Sequence, residues 1–235
     1  MTYYQFNPDI VTTAQQQFVQ QILDCKNYHQ SNRLLGFSKG RGITWFLNTQ
    51  TELGVNSVLR HYYRGGLFGK FVKDRYWFSD NKNTRAVQEF ELLNQLHQWH
   101  LPTPRPIALK ITAAFGFYQA DILIEKIENT KDLSQFLQKN KLSAAQYQQI
   151  GKTIRQLHDH QVHHSDLNIH NILIEENSGN FWLIDFDKCQ IQQGEEWKQA
   201  NLARLLRSFN KEKGRLAIQF EEQDWQELVT AYHSN

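Results

Sequence analysis

Three polar residues have the types and spacing to move a phosphoryl group: Asp166, Asn171 five residues on, and Asp185 at the end of a later apolar run. A carboxylate such as Asp166 can accept a hydroxyl proton or orient the hydroxyl for attack. An amide oxygen from Asn171 and a carboxylate from Asp185 are hard donors, suited to Mg²⁺ bridging the phosphates of ATP. Phosphoryl transfer asks for alignment and charge neutralisation more than covalent chemistry, and these groups supply both. Isolated Asp or Asn residues are mostly surface turn residues. The weight lies in the whole pattern: His164-Ser165-Asp166 with Asn171, two strand-like runs, then Asp185-Phe186-Asp187.

The elements that must position these groups follow from periodicity. Residues 1–30 read as irregular to helical, with Phe18, Val19, Ile22 and Leu23 on one helical face. Gly36, Gly40 and Gly42 precede an apolar run at 43–46, a turn feeding a strand, and 56–64 reads as a further strand with Val58 and Arg60 on one face. Residues 84–100 form an amphipathic helix with Val87, Phe90, Leu93, Leu96 and His97 at helical spacing; the prolines at 102, 104 and 106 end it. A strand follows at 116–127, then helices at 132–138 and 143–160, the second capped by Ser143, and a helix from 195. The order predicts an α+β chain with a small β-rich lobe over 1–126 and a mostly helical lobe over 127–235, hinged near 125–130.

The segment His164–Asn171, followed by Asp185-Phe186-Asp187, resembles the catalytic and metal loops of the protein-kinase-like superfamily, and the lobe order resembles its bilobal fold. Upstream, the backbone at Gly40 and Gly42 could cover ATP phosphates, although an ordinary hairpin turn explains these glycines equally well. The third strand carries Arg60 where the superfamily pattern has lysine; Arg60 can pair with phosphate oxygens and a helix carboxylate, with Glu89 the candidate partner and Glu91 the alternative.

Within that superfamily the chain resembles the lipopolysaccharide-core sugar kinases of Gram-negative bacteria over roughly residues 30–215. The resemblance is carried by Val58–Tyr62 with Arg64-Gly65-Gly66-Leu67, Glu89–Leu93 through Leu101-Pro102-Thr103-Pro104, the two loops above, and Asn201-Leu202-Ala203-Arg204-Leu205. It implies an enzyme that uses ATP and Mg²⁺ to phosphorylate the 4-hydroxyl of a 3-deoxy-D-manno-octulosonic acid (Kdo) residue on a lipid A precursor. It also implies action as a peripheral protein on the cytoplasmic side of the inner membrane. A kinase of heptose or another core sugar, or a non-catalytic ATP-binding pseudokinase, are the alternatives. Three departures from protein kinases stand out: Ser165 replaces the usual Arg, Asp187 replaces the usual Gly, and no Ala-Pro-Glu follows. Together they imply a constitutively active small-molecule or glycolipid kinase without a peptide-docking platform, and with no obligate protein partner.

Composition fits that picture. The 235 residues are 40% hydrophobic and 21% charged, which suits a folded domain. The net charge of +2 is too weak to argue for nucleic acid on its own. Cys25 and Cys189 read as free thiols, no zinc-type spacing occurs, and His164 reads as a brace for its loop. The N-terminus lacks a secretory pattern, and no apolar run is long enough to span a membrane. Residues 33–75 hold eight Lys or Arg against Glu52 and Asp74, a local excess of +6, interleaved towards the end with aromatic rings. Arg64, Lys70, Lys73 and Arg75 there suit an anionic amphiphile or membrane surface; a strand pair with solvated charges is the plainer reading. Arg204 and Arg207 could face the acceptor, or be ordinary helix-surface charge.

Overall fold

Alternating apolar residues build the first half of the chain into an antiparallel sheet. The computed structural model describes residues 1–40, 42–64 and 74–234. They form two compact units, Met1–Asn94 with Pro104–Ile127, and Gln95–Thr103 with Glu128–Asn235. Strands and helices mix as the expected α+β class requires.

The first unit contains β1 (Thr2–Phe6), α1 (Gln16–Asp24), β2 (Leu34–Lys39), β3 (Ile43–Leu47), α2 (Gln50–Leu53), β4 (Ser57–His61) and β5 (Tyr76–Trp77). It continues with α3 (Arg85–Gln98), whose last turn falls in the second unit, then β6 (Pro106–Ala114) and β7 (Phe117–Glu125). The strand order is β1-β6-β7-β4-β3-β2, with β5 on β7. On one side of the sheet Val19, Ile22 and Leu23 of α1 share a buried cluster with Trp45, Leu47, Leu59 and Leu123. Because strand side chains alternate, Arg60 points away from the face that Leu59 buries.

Two readings of the sequence change here. The first residues are not irregular: Thr2–Phe6 pairs with β6, Thr2 opposite Thr112 and Phe6 opposite Ala108. Its partner lies over a hundred residues away, so local periodicity carries no trace of the pairing. His97 does not join the buried face of α3; it is exposed, while Val87, Phe90, Leu93 and Leu96 are buried.

The second unit contains β8 (Thr130–Asp132), α4 (Leu133–Leu137), α5 (Ala144–Asp159), β9 (Val162–His163), β10 (Ile172–Glu175), β11 (Phe181–Leu183), β12 (Gln190–Ile191), α6 (Glu196–Leu216) and α7 (Glu222–His233). Ser143 caps α5 as its type predicts, its Oγ accepting from Gln146 N–H at 3.3 Å. Helices α5 and α7 meet closely at Gly151, where an added Cβ would fall 2.1 Å from the Leu228 carbonyl oxygen. No other residue type leaves room for that backbone approach.

Candidate active site

The catalytic-loop segment, His164 to Asn171, is fastened from below. His164 is fully buried; its Nε2–H donates to Ile184 O at 3.1 Å and its Nδ1 accepts from Asp166 N–H at 3.3 Å. That bonding fixes a neutral imidazole. Burial, against the smaller pull of the Ile184 carbonyl bond, holds its pKa below the ordinary histidine value. His164 therefore braces the loop, as its position suggests, and among the described residues no cluster of His, Cys, Asp and Glu could hold a metal ion by itself.

Side chains of Asn168 and Asn171 both donate to the Asp166 carbonyl, each at 2.9 Å, folding the loop back on itself. Asn171 uses its Nδ2–H there, so its Oδ1 remains as a hard acceptor. Asn171 then leads into β10 and Ile184 follows β11, and Ile184 N–H donates to Asn171 O at 3.0 Å. This is the next rung of a ladder that pairs Ile172 with Leu183. Asn171 and Asp185 thus sit at the same end of one hairpin. Asp185 has φ +64°, in the left-handed region, and Lys188 φ +63°. Such backbone in a non-glycine residue is costly and clusters at functional sites. The turn places left-handed backbone at 185 and 188 but not at Asp187, so the glycine usual at that position is not needed here. Ser165, where an Arg is usual, donates its Oγ–H to Asp187 O at 3.0 Å and its N–H to the Sγ of buried Cys189 at 3.4 Å. Both cysteines are free thiols.

Helix α6 supports the loop from a second direction. Asn201, Arg204 and Ser208 lie on one face by their spacing of three and four. Asn201 Nδ2 donates to His164 O at 2.8 Å, Ser208 Oγ accepts from Ile169 N–H at 3.0 Å, and Arg204 Nη2 donates to the Asp166 carboxylate. Asn201 Oδ1 lies 3.0 Å from His158 Nε2, and His158 Nδ1 lies 2.8 Å from the Tyr232 hydroxyl. Burial pushes the His158 pKa down to about 4. The Arg204–Asp166 contact was legible only as a basic residue facing the acceptor; the spacing of 201, 204 and 208 is the signal that could have found the rest.

The first unit holds the other expected residues. Arg60 Nη2 donates to Glu89 Oε1, and Tyr62 donates its hydroxyl proton to Glu89 Oε2 at 2.6 Å. Glu89 is 2% exposed, while Glu91 lies on the outer side of α3, so Glu89 is the partner. Gly40 and Gly42 flank the turn between β2 and β3, where Gly40 N–H donates to Gly42 O at 2.9 Å. A Cβ at Gly42 would fall 2.0 Å from the Tyr63 ring, so glycine there makes room for an aromatic side chain. Arg64 donates to Arg75 O at 2.6 Å and lies 4.9 Å from the Tyr76 ring centroid. Arg41, Lys70, Lys73 and the Gly65-Gly66-Leu67 stretch fall outside the described residues. A cavity of about 500 Å³ on the α1 side of the sheet is lined by Tyr4, Trp45, His61, Lys110 and Asp121, among others, and by none of the expected site residues. Among its charges Lys110 pairs with Asp24 at 2.7 Å, and His61 with Asp121 at 2.7 Å and Asp74 at 3.2 Å.

Known proteins give the same pattern a lineage. The model of the Lipopolysaccharide kinase (Kdo/WaaP) family matches residues 27–232. A 3-deoxy-D-manno-octulosonic acid kinase from Mannheimia succiniciproducens is 50% identical over 235 residues, covering 99% of this chain and 96% of that protein. One from Pasteurella multocida is 52% identical over 205 residues, covering 86% of this chain and 85% of that protein. Among solved structures, WaaP in complex with acyl carrier protein matches with a TM-score of 0.59 at 16% identity, over 92% of this chain and 80% of that one, a likeness of fold. With a family match that spans both units and both loops, this chain belongs to the lipopolysaccharide kinase (Kdo/WaaP) family.

Proposed function

We propose that the chain transfers the γ-phosphoryl group of ATP to a hydroxyl of a Kdo residue, the 4-hydroxyl, on a lipid A precursor in lipopolysaccharide core synthesis. The observation that carries this reading is the fastening of Asp166, Asn171 and Asp185 into one loop and hairpin end. Asp166 accepts or orients the acceptor hydroxyl proton. Its side chain is 42% exposed and so open to a substrate. In the first unit Arg60, held by Glu89, supplies a guanidinium for phosphate oxygens, with the backbone at Gly40 and Gly42 beside it. The donors Asn171 Oδ1 and Asp185 carboxylate fit Mg²⁺, a hard cation that prefers oxygen. When bound, that cation neutralises charge on the transferring phosphates.

The acceptor is an amphiphile, and two exposed aromatic residues support contact with a lipid surface. Trp77 is 76% exposed and Phe115 fully exposed, and Trp77 stacks on Phe117 with centroids 4.6 Å apart. Aromatic side chains of this kind sit at headgroup depth. No helix among the described residues is long and apolar enough to cross a membrane. The contact proposed is peripheral, on the cytoplasmic side of the inner membrane, as the resemblance to lipopolysaccharide-core sugar kinases implies.

Incubation with ATP, Mg²⁺ and a Kdo-bearing lipid A precursor, read by mass spectrometry, tests the reading. One added phosphate on the Kdo residue, lost in Asp166→Asn, is expected. No phosphate on this acceptor while a heptose-bearing acceptor offered in parallel gains one, or no turnover on either despite ATP binding, would overturn it. Vesicle binding unchanged by Trp77→Ala with Phe115→Ala would remove the membrane part.

A further inference from the structure

We propose that Arg204 is a specificity residue: it binds the carboxylate of the acceptor sugar, exchanging its bond to Asp166 for one to the substrate. The inference rests on the Kdo reading above and adds a residue and a mechanism of selection to it.

Three observations carry it. The first is placement. Asn201 and Ser208, on either side of Arg204, pin α6 to the backbone of the loop at His164 and Ile169. The root of the Arg204 side chain is thereby fixed beside Asp166, and its guanidinium reaches the carboxylate that meets the acceptor hydroxyl. A group bound there lies within one side chain's reach of the reacting hydroxyl.

The second is exposure. The side chains of Arg204 and Asp166 are 46% and 42% exposed. An exposed ion pair is weak and exchangeable, because water and salt compete with it. A second carboxylate can therefore displace Asp166 from Arg204 without leaving a desolvated bare charge. That displacement also returns an Asp166 oxygen to the acceptor hydroxyl.

The third is chemistry. Among the described residues Arg204 has one hydrogen bond, from Nη2 to Asp166 Oδ1, which leaves the rest of its planar donor fork for a ligand. Such a fork matches a carboxylate bidentately. Its positive charge is felt locally: after burial, it is the second cause that lowers the His163 pKa. A neutral sugar offers nothing to replace Asp166 on this guanidinium, whereas a sugar acid does.

A two-by-two kinetic comparison decides it, with wild type and Arg204→Ala each assayed on a Kdo-bearing lipid A precursor and on its carboxyl methyl ester. For wild type, esterification lowers kcat/KM about 10- to 100-fold, mostly through KM, the loss expected for one charge-assisted hydrogen-bonded contact. Arg204→Ala shows a similar loss on the native acceptor and no further loss on the ester, while KM for ATP stays at the wild-type value. Arg204→Lys, which keeps the charge but not the fork, falls between. Wild type that accepts acid and ester equally would overturn the proposal without using any variant. Arg204→Ala that still discriminates by the wild-type factor would overturn it too, and would mark Arg204 as a positioning residue for Asp166. If wild type phosphorylates neither acceptor, the Kdo reading itself is wrong and this inference goes with it.

Discussion

Each unit carries an arginine–carboxylate pair among its candidate site residues, and the two pairs differ chiefly in burial. In the first, Glu89 is almost fully enclosed and takes bonds from both Arg60 and Tyr62. In the second, Asp166 and Arg204 are both close to half exposed. Removing one partner of a buried pair leaves an uncompensated charge in a poor solvent, whereas an exposed pair contributes about 0–1 kcal/mol. The same two functional groups therefore serve as a fixed clamp in one place and as a contact open to substrate in the other.

That contrast can be broken in several ways, beginning with the largest effect. Asp166→Asn is expected to lower kcat by at least about 10³-fold, roughly 4 kcal/mol of barrier, with a melting temperature near wild type. Product formation followed beside a thermal melt checks both halves. A large loss of stability would mean that the exposed pair is also a structural clamp. Glu89→Ala is expected to cost about 3–5 kcal/mol in urea unfolding, because it removes the buried carboxylate that Arg60 and Tyr62 both bind. A cost under about 1 kcal/mol would erase the distinction.

The exposed pair stands on a buried support, and acid sharpens this point. His158 is held at a pKa of about 4, below the 6.5 of an unperturbed histidine. Between those values the unfolded chain binds the extra proton, so stability is full above about pH 6.5 and declines as pH falls towards 4. The expected loss is about 3 kcal/mol, read from unfolding midpoints across that range. His158→Gln should flatten the decline; an unchanged profile would assign it to another group. The smallest effect belongs to Arg204→Ala, which should change unfolding free energy by less than about 1 kcal/mol while lowering acceptor kcat/KM.

The loop and hairpin were legible because their chemistry is local. His164, Asp166, Asn171 and Asp185 fall within 22 residues, and the runs between them are short enough to read as strands. Glu89 was legible only as one of two carboxylates, with Glu91, on the helix after Arg60; burial and bonding single it out. What stayed hidden depends on distance along the chain. Strand β1 finds its partner more than a hundred residues away, and the Tyr232–His158–Asn201 chain of bonds joins three helices. Neither leaves a periodic mark. Arg204 showed only as a charge on a helix, since exposure and partner are set by packing, not by residue type. The glycine usual after Asp185-Phe186 is dispensable here because the left-handed backbone of the turn falls at Asp185 and Lys188, not at Asp187.

The hairpin that carries Asn171 and Asp185 also acts as a ruler. Their separation is counted in rungs of a β-ladder, not set by a pliable loop. Length changes at its far turn, residues 176–180, leave the count untouched. A single residue added within either strand flips every following side chain to the other face and turns one donor away from its fellow. An insertion at the outer bend is thus expected to spare activity, where one residue inserted in either strand abolishes it.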